Sequence, residues 1–192
     1  MKRVFDIVLS TIGLTVFCVP ILTGFVVCSW LTTSNGFFFQ KRVGQHGKLF
    51  TIIKLKTMHP ITQKIHPLQA LLRKYKIDEL PQFFIVLIGK MSIVGPRPDI
   101  LGYYDQLEGE NRKILMLKPG LTSEASLVFF DEEILLSQQS NPKIFNDTII
   151  FPEKVQMNLH YAKQHSIGLD CIIIVKTIHF ILKKICKKSV IR

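Results

Sequence analysis

The sequence predicts an α/β chain of irregular, α+β type: a small domain on an N-terminal membrane helix, with amphipathic helices at the interface. Three observations predict it. Residues 7–31 carry no charged side chain. Residues 37–40 and 49–54 read as short strands joined by a Gly-rich turn containing Gly44 and Gly47. Leu80, Phe83, Phe84, Leu87 and Ile88 recur at the i, i+3, i+4, i+7, i+8 spacing of a helix with one apolar face.

The apolar run 7–31 exceeds the roughly 20 residues that cross a bilayer as a helix. It is longer than a signal-peptide core of about 7–15 residues, Asp6 stands at its entrance, and no small-x-small cleavage site follows. Pro20 lies near its middle and predicts a kink, because proline removes a helical hydrogen bond and clashes with the preceding turn. Lys2 and Arg3 precede the run, and Lys41, Arg42, Lys48, Lys54 and Lys56 follow it. A helix that bends at Pro20 and returns puts both basic clusters on the cytoplasmic side, whereas a kinked span satisfies one. On the residues alone both topologies stand. Either way, residues 1–35 form the membrane segment and 36–192 the remaining domain.

Beyond the strands, residues 59–67 read as a loop and 70–75 as a short helix. Asp78 is placed to cap the next helix, with Pro81 in its first turn and Gly89 at its end. Pro96-Arg97-Pro98 predicts an extended segment. Residues 102–117 read as a polar surface helix, followed by a turn at Lys118-Pro119-Gly120. The end of the chain is apolar but interrupted by Lys176 and His179, which suits an amphipathic helix whose lysines reach the headgroups. A core-packed helix with a basic tail is the alternative.

Lys and Arg number 25 against 14 Asp and Glu. With a positive mean hydropathy, that balance points to an anionic membrane and anionic substrates. No basic patch interleaved with aromatics supports nucleic-acid binding. Cys18, Cys28, Cys171 and Cys186 form no CxxC pair, which argues against zinc or a disulfide framework and for a reducing compartment. The six histidines have no ligand spacing.

Asp78 and Glu79 are adjacent acids in basic company. An acidic helix start is their ordinary reading. Arg73 precedes them, Arg97 sits between prolines, and Lys54 and Lys56 alternate on a strand. A carboxylate, a divalent cation and fixed cations together suit phosphoryl transfer. Arginine offers a planar fork for phosphate.

The segments KRVFDIVLSTIGL, FFFQKRVGQHGKLFTIIKLKTM, LLRKYKIDELPQF, GKMSIVGPRPDI and LKPGLT, in that order, resemble the monotopic phosphoglycosyl transferases, also called bacterial sugar transferases. The resemblance implies a re-entrant helix broken at Pro20. It implies that Asp78 is the nucleophile of a ping-pong reaction and that Glu79 helps hold Mg²⁺. Arg97 would lie near a UDP-sugar, with Lys54, Lys56 and Arg73 as further substrate-binding groups. The acceptor would be undecaprenyl phosphate and the leaving product UMP. The place would be the cytoplasmic face of a bacterial inner membrane, and the product would start O-antigen, capsule, exopolysaccharide or protein-glycan synthesis, for downstream glycosyltransferases to extend. The length resembles that of minimal members without extra spans. Val19 stands before Pro20 where many members have serine, the loop between Met58 and Leu72 is shorter than usual, and Ser123-Glu124 replaces a common Gly-Trp. The rival reading is a non-catalytic basic protein tethered to the membrane, in which Asp78 and Glu79 are dispensable.

Overall fold

The computed structural model describes residues 1–186, and the chain divides into two compact units. The fold is of mixed α+β type, mostly helical with two small two-stranded sheets.

The first unit comprises Met1–Arg42 and Leu49–Ile93. It opens with helices α1 (Lys2–Val16) and α2 (Cys18–Thr32), which meet at a 60° bend. Among the described residues no single helix is long and apolar enough to cross a membrane, whereas this bent pair together is. The break falls at Phe17, not at Pro20. Proline acts one turn back: it has no N–H to give the carbonyl of Val16, and its ring crowds that carbonyl. Pro20 itself sits comfortably in the first turn of α2, where that N–H has no helical role.

Strands β1 (Phe37–Val43) and β2 (Leu49–Leu55) pair across the turn at Gly44 and Gly47, as expected, each running slightly further than predicted. Helix α3 (Pro67–Lys74) starts earlier than its apolar residues suggested, because His66 and Gln69 form a reciprocal cap and Pro67 occupies the first turn.

Helix α4 (Gln82–Leu87) is shorter than predicted and turned differently. Its buried residues are Gln82, Ile85 and Val86, while Phe84 and Ile88 of the expected inner stripe are about half exposed. Asp78 does not cap it. Residues Ile77–Glu79 form a 3₁₀ turn, with Glu79 N donating to Lys76 O and Leu80 N to Ile77 O. Pro81 cannot donate back to Ile77, so the α-helical ladder begins only after it. Gly89, at φ +84°, ends the helix as expected.

Helix α1 is stitched to this region. Arg3 donates to the carbonyls of Val86 and Leu87 at 2.6 and 2.5 Å, completing the end of α4. Asp6, 2 % exposed, accepts from Ser92 Oγ and Ile93 N at 2.9 Å each. Gly13 lets the Phe83 ring approach closely; a Cβ there would lie 2.7 Å from it.

The second unit comprises Val43–Lys48 and the chain from Val94 onward. It takes in the end of β3 (Ser92–Val94), β4 (Gly120–Thr122), and helices α5 (Glu124–Val128), α6 (Glu132–Ser137), α7 (Pro142–Phe145), α8 (Phe151–Gln164) and α9 (Ile167–Cys186). Its core gathers Val43, Tyr104, Ile114, Leu115, Val155 and Leu159. The predicted surface helix at 102–117 is instead two 3₁₀ stretches, Tyr104–Gln106 and Gly109–Met116, that supply three of these core residues. Gly102 and Gly109 at positive φ interrupt a regular helix there.

Helix α9 buries Asp170 and Ile173 and leaves Ile172, Val175, Ile178 and Leu182 exposed, an amphipathic helix as expected. The basic end of that predicted helix, residues 187–192, lies outside the described residues.

Candidate active site

The 3₁₀ turn Ile77–Glu79 places two acids inside the first unit. Lys76, which opens the turn, takes a left-handed conformation at φ 56° that residues other than glycine seldom adopt. Strand β2 brings Lys54 to the turn, where its Nζ lies 2.9 Å from Glu79 Oε1. Helix α3 brings Arg73. The buried Gln69 fixes that helix to the end of β2 through a 3.3 Å bond from its Nε2 to Lys56 O.

Asp78 is 7 % exposed, and its Oδ1 is buried with no hydrogen-bond partner among the described residues. Burial pushes its carboxyl up to about 6, and the neighbouring Glu79 charge adds to the rise. Lys54, Lys76 and Arg73 oppose it. The result is a carboxylate in cationic surroundings with one oxygen uncommitted. Such an atom is expensive to bury unless something later meets it.

Four of the expected residues therefore converge: Asp78, Glu79, Lys54 and Arg73. Lys56 does not share the arrangement of Lys54. Strand β2 ends at Leu55, so the alternation stops, and Lys56 Nζ donates to Ser34 Oγ at 3.1 Å. Lys76 was not singled out from the sequence. Its position two residues before the acidic pair was the available signal.

Arg97 belongs to the second unit. It borders an apolar recess between Pro96, Pro98, Tyr104, Leu117 and Pro119. The backbone around it is tightly held. Gly95 N donates to Thr122 O at 3.0 Å, Gly120 N to Pro96 O at 2.8 Å, and Val43 N to Asp99 O at 2.9 Å. Gly95 and Gly120 press so close that a Cβ on Gly120 would sit 2.1 Å from Gly95 N.

Among the described residues no three His, Cys, Asp or Glu side chains come together as a metal cage. A magnesium ion asks for less: one or two carboxylates, with substrate phosphates and water filling the octahedron. The Asp78–Glu79 pair and its uncommitted oxygen fit that demand.

Residues 1–184 match the bacterial sugar transferase family. A UDP-N-acetylgalactosamine-undecaprenyl-phosphate N-acetylgalactosaminephosphotransferase of Aeromonas hydrophila is 29 % identical over 95 % of this chain and 44 % of its own length. A UDP-glucose:undecaprenyl-phosphate glucose-1-phosphate transferase of Klebsiella pneumoniae is 32 % identical over 92 % of this chain and 39 % of its own. An uncharacterized sugar transferase, EpsL, of Bacillus subtilis is 31 % identical over 95 % of this chain and 87 % of its own. The chain thus spans less than half the length of the first two and most of the third.

Proposed function

The chain belongs to the bacterial sugar transferase family, and from that premise we propose that it transfers a sugar-1-phosphate from a UDP-sugar to undecaprenyl phosphate. The observation that carries this reading is the buried Asp78 carboxylate, with an uncommitted oxygen, beside Glu79 and three cations. Two of the named relatives carry that activity in their names.

In the proposed reaction, an Asp78 oxygen attacks the sugar-linked phosphorus of the nucleotide. The bond from that phosphorus to the bridging oxygen breaks, and UMP leaves with the electron pair. A phosphate oxygen of undecaprenyl phosphate then attacks the acyl phosphate, forms the diphosphate and restores the carboxylate. Lys54, Lys76 and Arg73 offset the repulsion between Asp78 and the incoming anion, and Lys54 also fixes Glu79. Arg97 grips the nucleotide's phosphates, and Lys56 adds positive potential. Glu79 would hold Mg²⁺, which supplies charge neutralisation on the diphosphate.

The same reading places α1 and α2 in the cytoplasmic leaflet as a re-entrant hairpin, with both ends on the cytoplasmic face. Val8, Ile12 and Val16 on α1, and Val19, Val26 and Trp30 on α2, are exposed apolar side chains that support lipid contact. The lysines of α9 and its exposed isoleucines suit the headgroup layer. The lipid-linked sugar would then pass to downstream glycosyltransferases that build a polysaccharide.

The test is direct. Purified protein is incubated with a panel of UDP-sugars, undecaprenyl phosphate and Mg²⁺, and UMP is measured. UMP release dependent on the protein and on one of the sugars supports the transfer. Without lipid, a labelled UDP-sugar should leave label on the protein that hydroxylamine removes. Silence across the panel would favour a basic membrane-bound binding protein instead.

A further inference from the structure

The mechanism above leaves the C-terminal helices α8 and α9 unused, yet they hold polar groups too deeply buried to be incidental. Tyr161 of α8 is 5 % exposed and Asp170 of α9 is 1 % exposed. The Tyr161 hydroxyl donates to Asp170 Oδ1 at 2.5 Å and lies 3.4 Å from the carbonyl of Val94. Val94 is the last residue of β3 and stands immediately before Gly95-Pro96-Arg97-Pro98. A second tie reaches the other side of that segment. The hydroxyls of Thr177 in α9 and Thr122 in β4 lie 2.8 Å apart. Thr122 is the residue whose carbonyl accepts from Gly95 N. Ser166 fixes the start of α9: its carbonyl accepts from Asp170 N and its hydroxyl from Leu169 N.

Both strands that bracket Arg97 are therefore tied at their inner ends to one helix pair. An aromatic ring alone would fill the Tyr161 site, and a valine would fill that of Thr177. The Thr177 hydroxyl donates to Ile173 O at 2.8 Å and accepts from Thr122, and the Tyr161 hydroxyl reaches Val94 O at 3.4 Å beside its shorter bond to Asp170; together they set the backbone that carries Arg97. Prolines on either side remove its other freedom. A planar donor fork binds phosphate well only when its plane is fixed.

We propose that Tyr161 and Thr177 are positioning residues that act through β3 and β4 to fix Arg97 for binding the phosphates of a nucleoside diphosphate. The proposal rests on the assignment of Arg97 as an anion-binding group. Its test is equilibrium binding of radiolabelled UDP to the full-length protein in detergent, which needs no turnover.

Tyr161→Phe and Thr177→Val should each weaken UDP binding by roughly five- to tenfold, the worth of one ordinary hydrogen bond. Thr177→Ser, which keeps the hydroxyl, should bind as the wild type does. Combined with Arg97→Ala, neither Tyr161→Phe nor Thr177→Val should cost anything further, because the group they position is already gone. A merely structural role would leave affinity untouched or make the losses multiply, and either result overturns the proposal. So does a wild type that binds no UDP, or an Arg97→Ala variant that binds it normally. A wild type that binds UDP with this pattern yet releases no UMP from any UDP-sugar upholds the positioning and overturns the transfer reaction.

Discussion

Asp78 is where the chain bears an electrostatic burden. An ordinary aspartate titrates near 3.8, and burial lifts this one to about 6. The folded protein therefore holds the proton more tightly than the unfolded chain does. Stability is greatest below the unfolded value and declines as pH rises toward 6, beyond which the buried charge costs a constant amount. Two pKa units correspond to roughly 2–3 kcal/mol. Asp78→Asn should thus raise the melting temperature at pH 7.5 and leave it nearly unchanged at pH 4, as scanning calorimetry would show. The same substitution should abolish transfer, because an amide does not displace UMP. In the wild type, transfer should fall as pH drops through about 6 and the carboxylate is protonated. A folded Asp78→Asn protein with normal turnover would reduce this residue to a strained turn. Arg97→Lys offers a second residue-scale test. A point charge lacks the planar fork, so kcat/KM should fall by at least about tenfold, the equivalent of ~1.5 kcal/mol.

At the scale of elements, the bend between α1 and α2 decides topology. Single cysteines at Lys2 and Gln45, in a background without the native four, can be probed from outside spheroplasts with an impermeant maleimide. Both should resist labelling until the membrane is permeabilised. Labelling at position 2 alone would make the pair a kinked span. Arg3 has a structural task that its place in a basic N-terminus concealed. Arg3→Ala would strip the carbonyls of Val86 and Leu87 of their charged donor and should destabilise the protein by about 1–2 kcal/mol in chemical unfolding. Element by element, the sequence was most readable where the pattern is local. The hairpin, the break upstream of a proline and the Gly89 terminus all follow from neighbours in the chain. It was least readable where distant residues choose. The inward face of α4 is set by α1 and β2, which no spacing within six residues reveals. Residues 102–117 carry core side chains within irregular turns that neither a helical nor a strand period describes.

For the molecule as a whole, the formal net charge of +11 and the exposed apolar faces of α1, α2 and α9 predict an electrostatic share in membrane attachment. Co-sedimentation should be stronger with vesicles containing phosphatidylglycerol than with zwitterionic ones, and that preference should shrink as salt rises. Indifference to lipid charge would leave the apolar faces as the whole of the attachment. Of the candidate site, Lys76 was overlooked, while the adjacent acids and Arg73 were legible because they are close in sequence. That Lys54, from 25 residues earlier, holds Glu79 was not, nor was the uncommitted state of the Asp78 oxygen. Both follow from a 3₁₀ turn that Pro81 imposes and from the end of β2, and only three-dimensional packing joins them.

The stitching of α1 into its unit has a practical consequence for anyone seeking a water-soluble form. Deleting residues 1–35 would not trim an anchor from a finished enzyme. It would orphan Ser92, remove the donor at the end of α4, and uncover Phe83 and Leu55, which pack against Gly13 and Gly24. The expected product is aggregate. Redesign has to spare that inner face and recolour the outer one: polar replacements at Val8, Ile12, Val16, Val19, Val26 and Trp30 leave every one of those joints in place. Such a variant should stay soluble without detergent and still bind UDP, while the proposed transfer to a lipid phosphate should be lost.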